Sequence, residues 1–280
     1  MKRLISIIFV AFLVVGNATA RVTYTQQDSI TIERLLREAP GPDVLWLARQ
    51  FINRPYVGQT LEVNAREQLV VNTRQLDCTT LVETVAALAI CVKEKKHDFC
   101  SFCQVLRALR YRGGKLDGYV SRLHYFTDWI EDNTRLGLVS EVQLQSSPFT
   151  AVQIINVGYM SQHPTAYTAL KAHPELVKTI ALQEQQLNGR RYRFIPKAKV
   201  QDTKELREAV HDGDIIAITC TKPGLDIAHL GFAVWRKDGL HLLNASQLHK
   251  KVVEEPMTLG QYLQKHPTHT GIRVVRLKNI

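Results

Sequence analysis

The 280-residue sequence contains no internal repeat and no low-complexity segment, which argues against a solenoid, a propeller or a largely disordered chain. It has no lysine or arginine tract and no basic motif interleaved with aromatics. Its formal net charge is +10, but nucleic acid is not the expected partner. Beyond residue 20 no apolar run is long enough to span a bilayer. Cysteine is scarce and odd in number, at Cys78, Cys91, Cys100, Cys103 and Cys220, so in an oxidising compartment at least one thiol lacks a partner within the chain.

At the start stand Lys2 and Arg3, then an apolar stretch from Leu4 to Val15, then Ala18-Thr19-Ala20. This is the order of a secretory signal peptide over residues 1–20, with Arg21 as the expected mature N-terminus. No cysteine follows the cleavage motif, so lipid attachment is not indicated. The expected location is the periplasm or the extracellular space, with no stable membrane insertion after cleavage. Losing Lys2 and Arg3 takes the charge from +10 to +8. An exported basic protein meets cell wall, lipid headgroups and polysaccharide.

The remaining chain, residues 21–280, has the size of one large domain, helical over 21–145 and sheet-rich over 205–280. Thr31 to Glu38 and Val44 to Phe51, the latter behind the cap Asp43, read as helices. "TLEVNAREQLVVNTRQ" reads as short extended segments with a turn near Asn64. In "LDCTTLVETVAALA" the apolar positions Leu81, Val82, Val85, Ala86, Leu88, Ala89 and Val92 fall on one helical face. Either Asp77 or a Thr80–Glu83 capping box can open this helix, and Cys78 sits in or beside its first turn on both readings. Further helices are expected from Asp98 to Tyr111, over "LHYFTDWIEDNTRLG" and within Pro164 to Gln186. "GDIIAITC", "HLGFAVWR", "LHLLNAS" and "TGIRVVRLK" read as strands of an antiparallel meander, with Asp238-Gly239 as a hairpin turn. The pattern is α+β.

A thiol at a helix N-terminus meets one condition for nucleophilicity, and a neighbouring histidine would meet another. His229 opens a strand just after the Pro223-Gly224 turn. Asn244 lies near the end of the next strand, where its carbonyl could hold the His229 ring in the tautomer that leaves one nitrogen facing Cys78. Taken singly, each residue has an ordinary reading: a core cysteine, a structural histidine, an Asn-x-Ser sequon or turn former. The combination in this order is what informs.

"PYVGQTLE", "LDCTTLVETVAALA", "LRYRGGKLDGYVSRLHYFTDWIEDN", "GLDIAHLGFAV" and "LLNASQLHKKVV", in that order, resemble the secreted bacterial N-acetylmuramoyl-L-alanine amidase-like family. That family belongs to the NlpC-type, papain-like cysteine hydrolases of the cell wall. The resemblance implies a helix-borne nucleophile packed against an antiparallel sheet that carries the histidine, with extra helices. It implies Cys78 as nucleophile, His229 as general base and Asn244 as the third polar residue, where related enzymes often have histidine. Asn cannot supply a negative charge, so a less basic His229 is expected. Asp77, Arg122, His124, Tyr125 and Asp226 are expected to line the cleft. The implied reaction cleaves the amide between N-acetylmuramic acid and L-alanine in peptidoglycan or muropeptides, without metal or organic cofactor, by a monomer. Alternatives are cleavage of the γ-D-glutamyl–diamino acid bond of the peptide stem, acyl transfer at the same site, and a non-catalytic wall-binding module.

Cys91, His97, Cys100 and Cys103 form C-x5-H-x2-C-x2-C, which is not a familiar zinc-finger spacing. A disulfide from Cys91 to Cys100 or Cys103, free thiols, or zinc remain open readings. Cys78 is expected to stay free and to be the first thiol labelled in the native protein.

Overall fold

A computed structural model describes residues 22–278 and 280, so the expected signal peptide lies outside the described residues. The short strands β1 (Val22–Thr23) and β2 (Leu69–Val70) pair in parallel. Between them run α1 (Gln26–Glu38) and α2 (Val44–Arg49). Helix α1 begins five residues before the expected Thr31, because Thr25 and Asp28 form a reciprocal capping box. Of the extended segments expected over residues 60–75, only β2 is a strand.

Helix α3 (Cys78–Lys93) is opened by Asp77, whose carboxylate accepts the Thr80 N–H at 2.8 Å, while the Thr80 hydroxyl accepts the Asp77 N–H at 2.9 Å. The competing Thr80–Glu83 box does not form. Instead the Glu83 carboxylate takes the Arg110 Nε–H of the next helix, α4 (Phe99–Arg110), at 2.6 Å. The residues of α3 from Thr80 to Cys91 are all buried, so it is a core helix rather than one with a single apolar face. It packs against α1, α2 and α4, and against the main sheet. Helix α5 (Phe126–Arg135) follows, at the place the sequence indicates.

The sheet-rich part opens with β3 (Val139–Glu141) and β4 (Ala151–Ile154), then α6 (Tyr159–Gln162), α7 (Thr168–Ala172) and α8 (Leu176–Leu187). It continues through β5 (Arg191–Pro196), α9 (Lys204–Ala209), β6 (Ile215–Cys220), β7 (Ile227–Arg236), β8 (Gly239–Ser246), β9 (Lys251–Glu254), α10 (Leu259–Gln264) and β10 (His269–Leu277). The strand order is β4-β5-β10-β6-β7-β8-β9, with β3 also on β10. The sheet is therefore not the simple meander expected, because the last strand inserts between β5 and β6. Gly271 permits this insertion, since a Cβ there would lie 2.1 Å from the Ile195 carbonyl oxygen of β5.

Alternation along the strands divides two cores. Ile215, Ala217, Phe232 and Val234 pack with α1 to α5, whereas Ile216, Ile218, Ala233 and Leu242 pack with α9 and α10. Two buried arginines tie the layers together. Arg273 of β10 binds both carboxylate oxygens of Glu141 in β3, at 2.5 and 3.0 Å, and donates to the Thr127 hydroxyl at 2.7 Å. Arg110 joins Glu83 to the Val70 carbonyl, and both side chains of the ion pair are 2% exposed. Removing one partner leaves a buried charge without compensation, so Arg110→Met is expected to cost roughly 3–5 kcal/mol in urea unfolding. Adding Glu83→Gln to it should restore a large part of that loss. A cost for Arg110→Met under about 1 kcal/mol would contradict this role for the pair.

Candidate active site

The start of α3 sets the thiol. Asp77 takes the Thr80 N–H through its side chain and the Leu81 N–H through its carbonyl. Cys78 is the first helical residue, so its own N–H belongs to the turn that has no partner within the helix. The thiol is approached by the backbone N–H of Leu230 in β7, and by the side chain and backbone of Thr79. Burial pushes the Cys78 thiol up to about 12, helped by the negative charge of Asp77 and opposed by those hydrogen bonds.

His229 lies on β7 beside Leu230, at an irregularity in its pairing with β6. Its Nε2 is 2.9 Å from Asn244 Oδ1 on β8. Asn244 Nδ2 in turn donates to Glu255 Oε1 at 3.1 Å, which orients the amide with its oxygen toward the imidazole. The imidazole thus carries its hydrogen on Nε2, and Nδ1 keeps its lone pair. Burial lowers the His229 pKa, while the Asn244 hydrogen bond and the charges of Glu255 and Asp77 raise it. A raised thiol and a lowered imidazole leave both groups neutral at rest.

Cys78 and His229 line one cavity of about 230 Å³, together with His124, Tyr125, Tyr167 and Asp226. A neighbouring cavity of about 180 Å³ shares Thr79, His124 and Tyr167 with it, and adds Glu62, Asp77 and Arg122. Every sequence-predicted site residue therefore lines one of these cavities, except Asn244, which is fully buried behind His229. Several of their polar groups are already engaged. Asp226 accepts the Thr127 N–H at 2.7 Å and the Ile227 N–H at 2.9 Å. It caps α5 from 99 positions away, since Tyr125 at the cap position supplies no side-chain bond. Tyr125 donates to Glu184 at 2.6 Å, and Arg122 pairs with Glu62 over the Tyr119 ring. His124 Nε2 faces the Tyr119 carbonyl at 3.0 Å. A cavity of about 400 Å³ elsewhere, bordered by Asp43, Arg49, Asp214 and Arg276, contains no cysteine, and its Arg276 and Asp214 are paired.

The five cysteines are all unpaired. Among the described residues no three or more His, Cys, Asp or Glu side chains are grouped to hold a metal ion, and His97 Nδ1 lies 3.0 Å from the Leu36 carbonyl. Cys100 is the exposed thiol and Cys78 is only partly exposed, so Cys100 is the more accessible of the two. Glu255 is the site residue that sequence reasoning missed. Its one signal is an acidic pair, Glu254-Glu255, ahead of Pro256 at the end of a short strand. No helix among the described residues is long and apolar enough to cross a membrane.

The chain is thus a mixed helix and antiparallel-sheet protein with a thiol, an imidazole and an amide gathered at the start of its central helix. Comparison with known proteins gives the family. The N-acetylmuramoyl-L-alanine amidase-like family matches residues 46–272, and the chain belongs to it. A crystal structure of an N-acetylmuramoyl-L-alanine amidase from Bacteroides uniformis is 42% identical, with a TM-score of 0.78, covering 84% of this chain and 97% of its own. A Bacteroides fragilis structure provisionally named a xylanase is also 42% identical, with a TM-score of 0.78 and coverage of 83% and 100%. A Legionella pneumophila protein at 22% identity shares the fold, with a TM-score of 0.69 over 90% of this chain and 94% of its own. No curated protein matches the chain.

Buried histidines set an acid limit on stability. His124 is pushed down to about 3 by burial and the Arg122 charge, His269 to about 4 by burial and the His266 charge, and His229 is lowered as well. Below the ordinary histidine value of 6.5 the unfolded chain takes up protons that the native chain refuses. The stabilisation is complete above that pH and is lost as pH falls toward the native values, at up to about 1.4 kcal/mol per pH unit for each histidine. Urea midpoints should fall steadily from pH 7 to pH 5, and His124→Gln should flatten the slope by about one proton. A midpoint constant over that range would contradict these assignments.

Proposed function

We propose that the protein is a papain-like cysteine hydrolase that cleaves the amide between N-acetylmuramic acid and L-alanine in peptidoglycan or its fragments. The observation that carries this reading is the shared cavity of Cys78 and His229, with Asn244 fixing the imidazole so that Nδ1 is free to accept a proton. Family membership supports the choice of bond. His229 Nδ1 takes the thiol proton as the sulfur attacks the lactyl carbonyl. The Cys78 N–H at the helix start, aligned with the helix dipole, receives the developing oxyanion. The imidazolium then protonates the leaving amine of L-alanine. Water, deprotonated by His229, hydrolyses the thioester and releases the sugar acid. The two adjoining cavities give room on both sides of the scissile amide, with Asp77, Arg122, His124, Tyr125 and Asp226 in their walls.

A glycosidase, as the name of the Bacteroides fragilis relative would have it, needs two carboxyl groups flanking one bond. Here Asp226 is spent on backbone N–H groups, Asp77 caps α3, Glu62 pairs with Arg122, and Glu83 pairs with Arg110. The signal-like N-terminus favours action outside the cytoplasm. Cys78→Ala is expected to lower hydrolysis of a defined muropeptide by at least about a thousandfold while binding is kept. Mass spectrometry of the wild-type digest should show free sugar and an intact peptide. A shortened stem would move the cut to the γ-D-glutamyl bond, and full turnover by Cys78→Ala would remove the thiol from the chemistry.

A further inference from the structure

Behind the imidazole the polar chain does not end at the amide. His229 on β7, Asn244 on β8 and Glu255, the residue just after β9, follow one another in diagonal steps. The pairing of β7 with β8 ends at Phe232 opposite Leu243, and just beyond it His229 Nε2 reaches Asn244 Oδ1 of β8 at 2.9 Å. Asn244 stands opposite Val253 of β9, two residues from Glu255. Residues two apart on a strand share a face, so the three side chains meet along one diagonal. Asn244 and Glu255 are both 0% exposed. Glu255 Oε2 faces His249 Nε2 at 3.1 Å, and the His249 side chain is 33% exposed. The Glu255 main chain is fixed too, with its N–H on the Leu242 carbonyl at 2.8 Å and its carbonyl 2.9 Å from His241 Nδ1.

We infer that Glu255 is a positioning residue for the thiol–imidazole pair: through Asn244 it fixes the His229 tautomer and supplies the negative charge that the amide lacks, so that the imidazolium formed on proton transfer is stabilised. The inference rests on the proposed cysteine-hydrolase reading. A neutral amide alone orients a ring but does not answer the charge that develops on it. A buried carboxylate one hydrogen bond further does both, because little solvent lies between to screen it. The other charged or titratable groups around the row are His249, His241 and Tyr262 toward Glu255, and Asp77 and His269 toward His229. His249 is the member that reaches solvent, so it links the buried carboxylate to the outside.

The test reads the thiol rather than the substrate. Iodoacetamide alkylation of the full chain is followed at the Cys78 peptide by mass spectrometry between pH 5 and pH 9, which separates it from the exposed Cys100. Glu255→Gln keeps the shape and removes the charge. It should slow Cys78 alkylation at pH 7 by at least about fivefold and move the rise of the rate to higher pH, with the circular dichroism spectrum unchanged. His249→Lys holds a permanent cation against Glu255 from a position that reaches solvent, and it should slow alkylation in the same direction. Should Glu255→Gln fail to fold, His249→Lys alone decides. Unchanged alkylation in the folded variants would overturn the inference. His229→Ala separates this from failure of the functional reading: if it too leaves Cys78 alkylation unchanged, the thiol–imidazole pair itself is wrong.

Discussion

The antiparallel register of β7, β8 and β9 is the constraint on which the site depends. Pairing sets which residues stand opposite one another, and parity sets which face they share. With Phe232 opposite Leu243 and Asn244 opposite Val253, an imidazole, an amide and a carboxylate fall on one diagonal. A slip of one residue would turn every side chain of the slipped strand to the other face and break the row. The register is in turn held by two apolar cores that read alternate residues of the same strands. The packing that stabilises the sheet is therefore also what aligns the polar groups.

The other half of the site is the start of α3. Asp77 has two opposed effects there. It caps the helix and fixes the position of the Cys78 N–H, and its charge disfavours the thiolate while favouring the imidazolium. Leu230 and Thr79 donate toward the sulfur and partly offset burial. Burial thus favours the neutral form of both the Cys78 thiol and the His229 imidazole, which line the same cavity. Around it the remaining charges are tied up: Arg122 with Glu62, Glu83 with Arg110, and Asp226 on the first turn of α5.

Local signals carried the helices and the hairpin. Asp43, Asp77 and Asp98 each cap a helix where the sequence places one, and the β7–β8 hairpin turns at Lys237-Asp238, one residue before the expected Asp238-Gly239, with Gly239 opening β8 opposite Arg236. The closeness of Cys78, His229 and Asn244 could be anticipated because Cys78 opens a strongly patterned helix and the other two lie on adjacent patterned strands. What was not legible is long-range. Glu83 could have served a capping box, and only the fold shows it paired with Arg110. Asp226 caps a helix 99 residues away, which no spacing rule reveals. The insertion of β10 into the middle of the sheet depends on Gly271 fitting against Ile195, a contact between distant segments. Glu255 escaped notice because β9 has only four residues, too few for alternation to show which side its successor faces.

All of this converges on one proton. Nitrogen NMR of His229 in the native protein, at a pH where the ring is neutral, reports which ring nitrogen carries the hydrogen. The account predicts protonation at Nε2, with Nδ1 bare. Hydrogen found on Nδ1 instead would mean that Asn244 does not set the ring, and the row of thiol, imidazole, amide and carboxylate would have no chemical direction.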